Sequence, residues 1–169
     1  MTWGLSYAGK VGPVTLNAAA AWQSDYADNP ASFDTDYFSV DGAYTFSKVT
    51  FLLGYEVLGS DGGAIAFQTP LATLHKWQGW TDLFLSTPAN GIEDTYLTVS
   101  GKLGDFALSA TYHDFAADEG SADYGDEWDL VASYPINTKL SAELKYASYD
   151  RDTFAVDTDK LWFTLNLAF

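Results

Sequence analysis

Cysteine is absent from the 169 residues, which excludes disulfide frameworks, thiolate metal sites and cysteine nucleophiles. Basic residues are scarce: Lys and Arg number 8 against 23 Asp and Glu, a formal net charge of −15. A surface that grips phosphate needs clustered cations, so nucleic acid is excluded as a partner. Long apolar runs are missing too. The longest are a few residues, such as 18–22, whereas a membrane-crossing helix needs about 20. The start, Met1-Thr2-Trp3-Gly4-Leu5-Ser6, has neither the basic nor the long apolar stretch of a secretory leader. His75 and His113 are the only histidines, no serine sits in a nucleophile elbow, and no glycine-rich phosphate loop occurs. The sequence therefore predicts no enzyme and no catalytic residue.

Aromatic residues are abundant: 6 Trp, 11 Tyr and 11 Phe exclude a disordered acidic chain. The apolar residues recur with a period of two. In the last segment Leu161, Phe163, Leu165, Leu167 and Phe169 share one face, and Trp162, Thr164, Asn166 and Ala168 share the other. The same alternation runs through Trp3–Tyr7, Leu16–Trp22, Phe38–Tyr44, Val49–Val57, Thr95–Val99, Phe106–Tyr112, Trp128–Tyr134 and Leu140–Tyr146, so nine strands are expected. Connections alternate between short turns (10–13, 47–48, 102–105, 135–138) and long loops (24–35, 58–93, 115–126, 149–159). Short turns at one end and long loops at the other describe an all-β, antiparallel up-and-down transmembrane barrel. Trp3, Trp22, Tyr44, Tyr55, Tyr112, Trp128, Tyr134, Tyr146 and Phe169 fall near strand ends on the apolar face, where interfacial girdles belong. A soluble β-sandwich or lipocalin-like carrier also alternates. Its outer face would be coated with Lys and Glu, however, and here the polar face is mostly Gly, Ala, Ser, Thr and Asn. The expected location is the outer membrane of a Gram-negative bacterium, with long loops outside and Phe169 at the periplasmic rim.

Residues 1–169 read as a single barrel domain or the C-terminal portion of one. Nine is odd, and a barrel with both ends on one side needs an even count. Unpaired edges cannot face lipid. The pattern thus predicts that missing N-terminal strands, or further copies in a homo-oligomer, complete the wall. Inward groups set selectivity in such a channel, and the candidates are Lys10, Asp41, Glu56, Tyr96, Lys102, His113, Glu143 and Lys145.

The long outer loop 58–93 carries its own signals. Thr69-Pro70 is a helix start, and Leu71, Leu74, Trp77 and Phe84 follow at helical spacing, so a short helix is expected within 70–85 despite Gly79. Such a loop either packs on itself or folds over the mouth and narrows it, with His75, Lys76, Gln78 and Asp82 as constriction candidates. The outer loops are acidic. Asp25, Asp28, Asp34 and Asp36 fall in or beside one loop, Asp114, Asp118, Glu119, Asp123, Asp126, Glu127 and Asp129 in or beside a second, and Asp150, Asp152, Asp157 and Asp159 in a third. Solvated loops account for these runs. The sharper expectation is a loop-bound Ca²⁺ or Mg²⁺ on Asp118, Glu119, Asp123 and Asp126, bridging to lipopolysaccharide phosphate. No other cofactor is expected.

The run Phe67-Gln68-Thr69-Pro70-Leu71-Ala72-Thr73-Leu74-His75-Lys76, followed by Gly79-Trp80-Thr81-Asp82, resembles the loop of the alginate-export-type outer-membrane porins of proteobacteria. The flanking strands and terminal Phe169 fit the C-terminal part of such a barrel. The resemblance implies a wide barrel passing small solutes or an anionic polysaccharide. The alginate exporters have an Arg- and Lys-rich lumen. Here the inward cations are Lys10, Lys102 and Lys145, with His113, and they are accompanied by Asp41, Glu56 and Glu143. The alternative expectation is a non-conducting structural or interaction barrel that binds partners or surface glycans through its acidic loops.

Overall fold

The computed structural model describes residues 1–169 apart from Asn29, Ala72 and Thr73. The alternating segments form nine strands of one antiparallel sheet: β1 (Thr2–Val11), β2 (Val14–Ser24), β3 (Asp34–Phe46), β4 (Val49–Leu58), β7 (Ile92–Leu103), β8 (Phe106–Ala116), β9 (Asp123–Pro135), β10 (Leu140–Arg151) and β11 (Thr158–Leu167). Each pairs with its neighbour in the chain, giving the order β1-β2-β3-β4-β7-β8-β9-β10-β11. Two short strands, β5 (Ser60–Asp61) and β6 (Ile65–Ala66), make a separate hairpin inside the loop after β4. The sheet is open. β1 and β11 are its edges and do not pair with each other. In a nine-strand meander the two edges run in the same direction, so an antiparallel closure takes an odd number of further strands.

The strands are 10 to 13 residues long, and their register is continuous across the sheet apart from an irregularity at Phe115/Ala116. Tight turns such as Gly12-Pro13 and Gly104-Asp105 lie at one end, and every long connection lies at the other. Because side chains alternate, the register assigns each to one of two faces. One face carries Leu165, Leu144 and Phe51, which are 56%, 48% and 46% exposed. Trp3, Leu5, Phe38, Leu53, Leu97, Leu161 and Phe163 share that exposure. Aromatic pairs bracket this outer face. Trp3 stacks on Trp22 (4.4 Å) and Tyr112 packs on Trp128 (5.0 Å) near the long-loop end, and Phe106 packs on Tyr134 (4.9 Å) near the tight turns.

The buried core lies on the opposite, inner face, close to the long connections. Leu58, Ile92, Phe115, Tyr124 and Tyr149 from the strands enclose Phe67 and Phe84 from the loop between β4 and β7. Phe84 is the centre of this packing, with ring centroids 4.7 Å from Phe115, 5.0 Å from Phe154 and 6.0 Å from Tyr149. That loop therefore packs on the inner face of the sheet.

The helix expected within 70–85 does not form. Among the described residues that span holds one 3-10 turn, Leu74–Lys76, while Ala72 and Thr73 lie outside the described residues. Gln78, Gly79 and Asp82 all take left-handed backbone angles (φ 51°, 79° and 59°), which a right-handed helix cannot contain. The tertiary seat described below holds these three positions and overrides the helical spacing. No described helix is long and apolar enough to cross a membrane, a statement that does not bear on strands.

Candidate functional site

The inner face is polar where the outer face is apolar, and the loop sits on it. The eight inward candidates Lys10, Asp41, Glu56, Tyr96, Lys102, His113, Glu143 and Lys145 all share that face by strand register. They fall into two groups. Lys10 and Lys102 are exposed near the tight turns, Asp41 accepts a hydrogen bond from Asn17 Nδ2 (2.8 Å), and Glu143 accepts one from Ser133 Oγ (3.0 Å). Among the described residues no hydrogen bond or ion pair joins these four to the loop. Glu56, Tyr96, His113 and Lys145 belong to the level where the loop is seated.

At that level three carboxylates hold the loop from β4 and β9. Glu56 accepts from the Tyr37 hydroxyl (2.5 Å) and from Gln78 Nε2. Glu127 accepts from the backbone N–H of Thr81 (2.8 Å) and from its hydroxyl. Asp129 Oδ2 accepts from the backbone N–H of Trp80 (3.2 Å). Gly79 brings these donors into place. Its backbone is left-handed, and a Cβ there would stand 2.5 Å from Glu127 Oε2. Between the carboxylates lies His113, with Nδ1 2.9 Å from Asp94 and Nε2 3.8 Å from Asp129 Oδ2. Its ring stacks against Tyr96 (5.5 Å), which itself lies over Gly54, where any side chain would overlap the phenol ring.

On the far side of the inner face the partners are cationic. The Lys145 ammonium stands over the Trp80 ring (4.1 Å) and donates to His75 Nε2 (3.2 Å). An ammonium can only donate, so Nε2 accepts and the imidazole proton resides on Nδ1, which donates to Asp82 Oδ1 (2.7 Å). Lys160 of β11 donates to Asp82 Oδ2 (2.9 Å). Burial pushes the Asp82 carboxyl upward, but the Lys160 and His75 hydrogen bonds outweigh it and hold it below the usual carboxylate range. A cavity of about 320 Å³ remains between loop and sheet, lined by Tyr37, Glu56, Phe67, Trp77 and Gln78 among others. Gln68 joins the loop to β2 as well, since its backbone N–H donates to Gln23 Oε1 (3.0 Å) and its carbonyl accepts from Gln23 Nε2 (3.1 Å).

Of the four constriction candidates, His75, Gln78 and Asp82 make these inner-face contacts. Lys76 is exposed, with its ammonium 4.5 Å from the Trp77 ring centroid. The four acidic candidates do not form one group. Asp118 accepts from the Ser60 N–H (2.8 Å) and Asp123 from the Gly125 N–H (3.0 Å). Glu119 is exposed, and Asp126 lies between Asp114 and Asp150 of the neighbouring strands. Among the described residues no three His, Asp or Glu side chains are close enough to hold a metal ion together.

Sequence reasoning missed several members of the seat. Glu127 and Asp129 read as part of a solvated acidic loop, yet they are 0% and 2% exposed and face inward from β9. The signal was present. Trp128 and Leu130 belong to the outward set, so their neighbours at 127 and 129 must point the other way. Asp94, Lys160 and Trp162 follow from the same alternation. Trp80 and Thr81 could not be found that way, because only the loop's path brings them to β9. No protein-family model, curated protein or solved structure matches this chain.

Proposed function

We propose that this chain forms part of the wall of an outer-membrane β-barrel channel whose lumen is narrowed by the 58–93 loop. One observation carries the reading: the polarity of the sheet is inside-out. Leu165, Leu144 and Phe51 are exposed on one face while Asp94, Glu127 and Asp129 are buried on the other. In water an exposed apolar face spanning nine strands is an aggregation surface, whereas in lipid it is the expected exterior of a barrel. The aromatic pairs near both strand ends match interfacial girdles. The partners of this face are outer-membrane lipid and lipopolysaccharide. Closure would come from further strands or a second copy, giving the even count that membrane barrels take.

Transport through such a wall is passive and needs no cofactor. The loop seat sets the narrowest point, and the solute is a small molecule or, on the alginate-export-type likeness, an anionic polysaccharide. Refolded into planar bilayers of outer-membrane lipid, the protein is expected to give discrete conductance steps. A protein that stays monodisperse in buffer without detergent would overturn the membrane reading.

A second reading is favoured by the completeness of the seat. The loop is bonded to β2, β4, β9, β10 and β11, and a loop held at so many points suits a closed, non-conducting barrel that acts through its outer acidic loops. Stable insertion into vesicles without conductance would select it.

A further inference from the structure

Glu127 and Asp129 lie two residues apart on β9, both turned toward the loop. Glu127 is spoken for: it accepts from the Thr81 N–H and the Thr81 hydroxyl. Asp129 is half satisfied. Its Oδ2 accepts from the Trp80 N–H, but its Oδ1 is buried with no hydrogen-bond partner. The donors that hold them are the N–H groups of consecutive residues, Trp80 and Thr81, so the two carboxyl groups are neighbours on one face of β9.

The groups that face this pair leave Asp129 Oδ1 without a donor. From β8, His113 presents Nε2 at 3.8 Å from Asp129 Oδ2, while its Nδ1 is engaged by Asp94 of β7, a third buried carboxylate at 1% exposure. From β10, the Tyr149 hydroxyl is directed at the Tyr124 carbonyl and at that of Phe154 (3.0 Å), and the Lys145 ammonium stands over Trp80 and donates to His75. From β11, Lys160 is paired with Asp82. The imidazole thus stands between two buried carboxylates, Asp94 and Asp129, with Glu127 opposite it in the β8–β9 register. Two neighbouring buried carboxylates, one with an oxygen that no donor meets, cannot both stay ionised at modest cost.

We propose that Glu127 and Asp129 share one proton, and that this proton is what seats the loop. It resides on Asp129 Oδ1, the oxygen that otherwise has no partner, and is donated to the Glu127 carboxylate. Glu127 stays ionised and keeps its two bonds from Thr81. Asp129 Oδ2 keeps its bond from Trp80. The pair titrates as one unit. When base removes the shared proton, two adjacent anions remain, and the repulsion is relieved by separating the loop from β9. The seat therefore persists through neutral pH and opens at alkaline pH. None of this depends on whether the outer face meets lipid, because the seat is internal to the chain.

Amide hydrogen exchange at Trp80 and Thr81, expressed against the intrinsic rate at each pH, tests the proposal. In the wild-type protein, protection at both amides is expected to fall by about tenfold or more on passing into the alkaline range. Asp129→Asn places a permanent N–H donor toward Glu127 and is expected to abolish that fall. Glu127→Gln, which donates from the other side, should do the same, so either variant that retains the β-sheet circular dichroism of the wild type serves. Infrared spectra at neutral pH should show the carbonyl stretch of a neutral carboxylic acid, absent in Asp129→Asn. Equal alkaline loss of protection in wild type and variant, or no neutral-acid band in the wild type, would overturn the shared proton.

Discussion

Gly79 shows how a single position can govern the seat. Its φ of 79° is open to glycine and costs an L-residue about 1–2 kcal/mol. A Cβ there would also stand 2.5 Å from Glu127 Oε2 and 2.7 Å from Glu127 Oε1. Gly79→Ala is therefore expected to dislodge the loop rather than unfold the sheet. Exchange protection at Trp80 and Thr81 should drop while that of the β8 and β9 amides is kept, and equal protection in the two proteins would show that the carboxylate has room to move. Gln78 and Asp82 adopt left-handed angles without being glycine, and each aims its side chain at an inner-face partner, Glu56 and Lys160. Backbone in that region persists where the surroundings over-determine it.

The loop between β4 and β7 has two distinct attachments. One is apolar and centres on Phe84. Truncating a buried aromatic of this kind costs about 3–5 kcal/mol, so Phe84→Ala should lower the loop's unfolding free energy by that order, read as earlier proteolytic cleavage within the loop. The other attachment is ionic and centres on Asp82. Its carboxyl is held below the usual range, so its contribution is fully present above the unfolded carboxylate value of about 3.9 and is lost as pH falls through the lower folded value. Acidification below about pH 4 should thus loosen the His75 and Lys160 side of the loop in the wild type, and Asp82→Asn should show the loosened state already at neutral pH. Fluorescence of Trp80 and Trp162 reports it, and an Asp82→Asn spectrum identical to wild type at neutral pH would contradict the assignment. At this scale the sequence was least informative. Thr69-Pro70 and the spacing of Leu71, Leu74 and Trp77 describe a helix correctly as a local preference. The preference loses because the loop's donors are drawn onto Glu56, Glu127 and Asp129, groups far away in the chain.

Across the whole molecule the sheet is wrapped the opposite way from a soluble β-protein, with exposed Leu and Phe outside and buried carboxylates within. Leu144→Arg separates the two environments. On a lipid-facing strand an arginine near the bilayer midplane costs about 2–4 kcal/mol, so the variant should insert into vesicles less and unfold at lower denaturant. A water-facing strand would tolerate it with a gain in solubility. The sheet is open at β1 and β11, and its odd strand number and antiparallel meander were legible in the sequence.

Period-two alternation by itself determined the nine strands and the face on which each side chain falls, and the alternation of short and long connections gave their up-and-down order and the end at which the long loops lie. Successive residues of a strand must point to opposite sides, whatever surrounds them. That rule placed Glu56, His113 and Lys145 on one face, and applied two residues further it would have placed Glu127 and Asp129 there as well. Only the tertiary structure decided which of the faces is filled, and by what. The path of a long loop is set by the distant partners that satisfy its backbone N–H groups and bury its rings, and no local spacing encodes those partners.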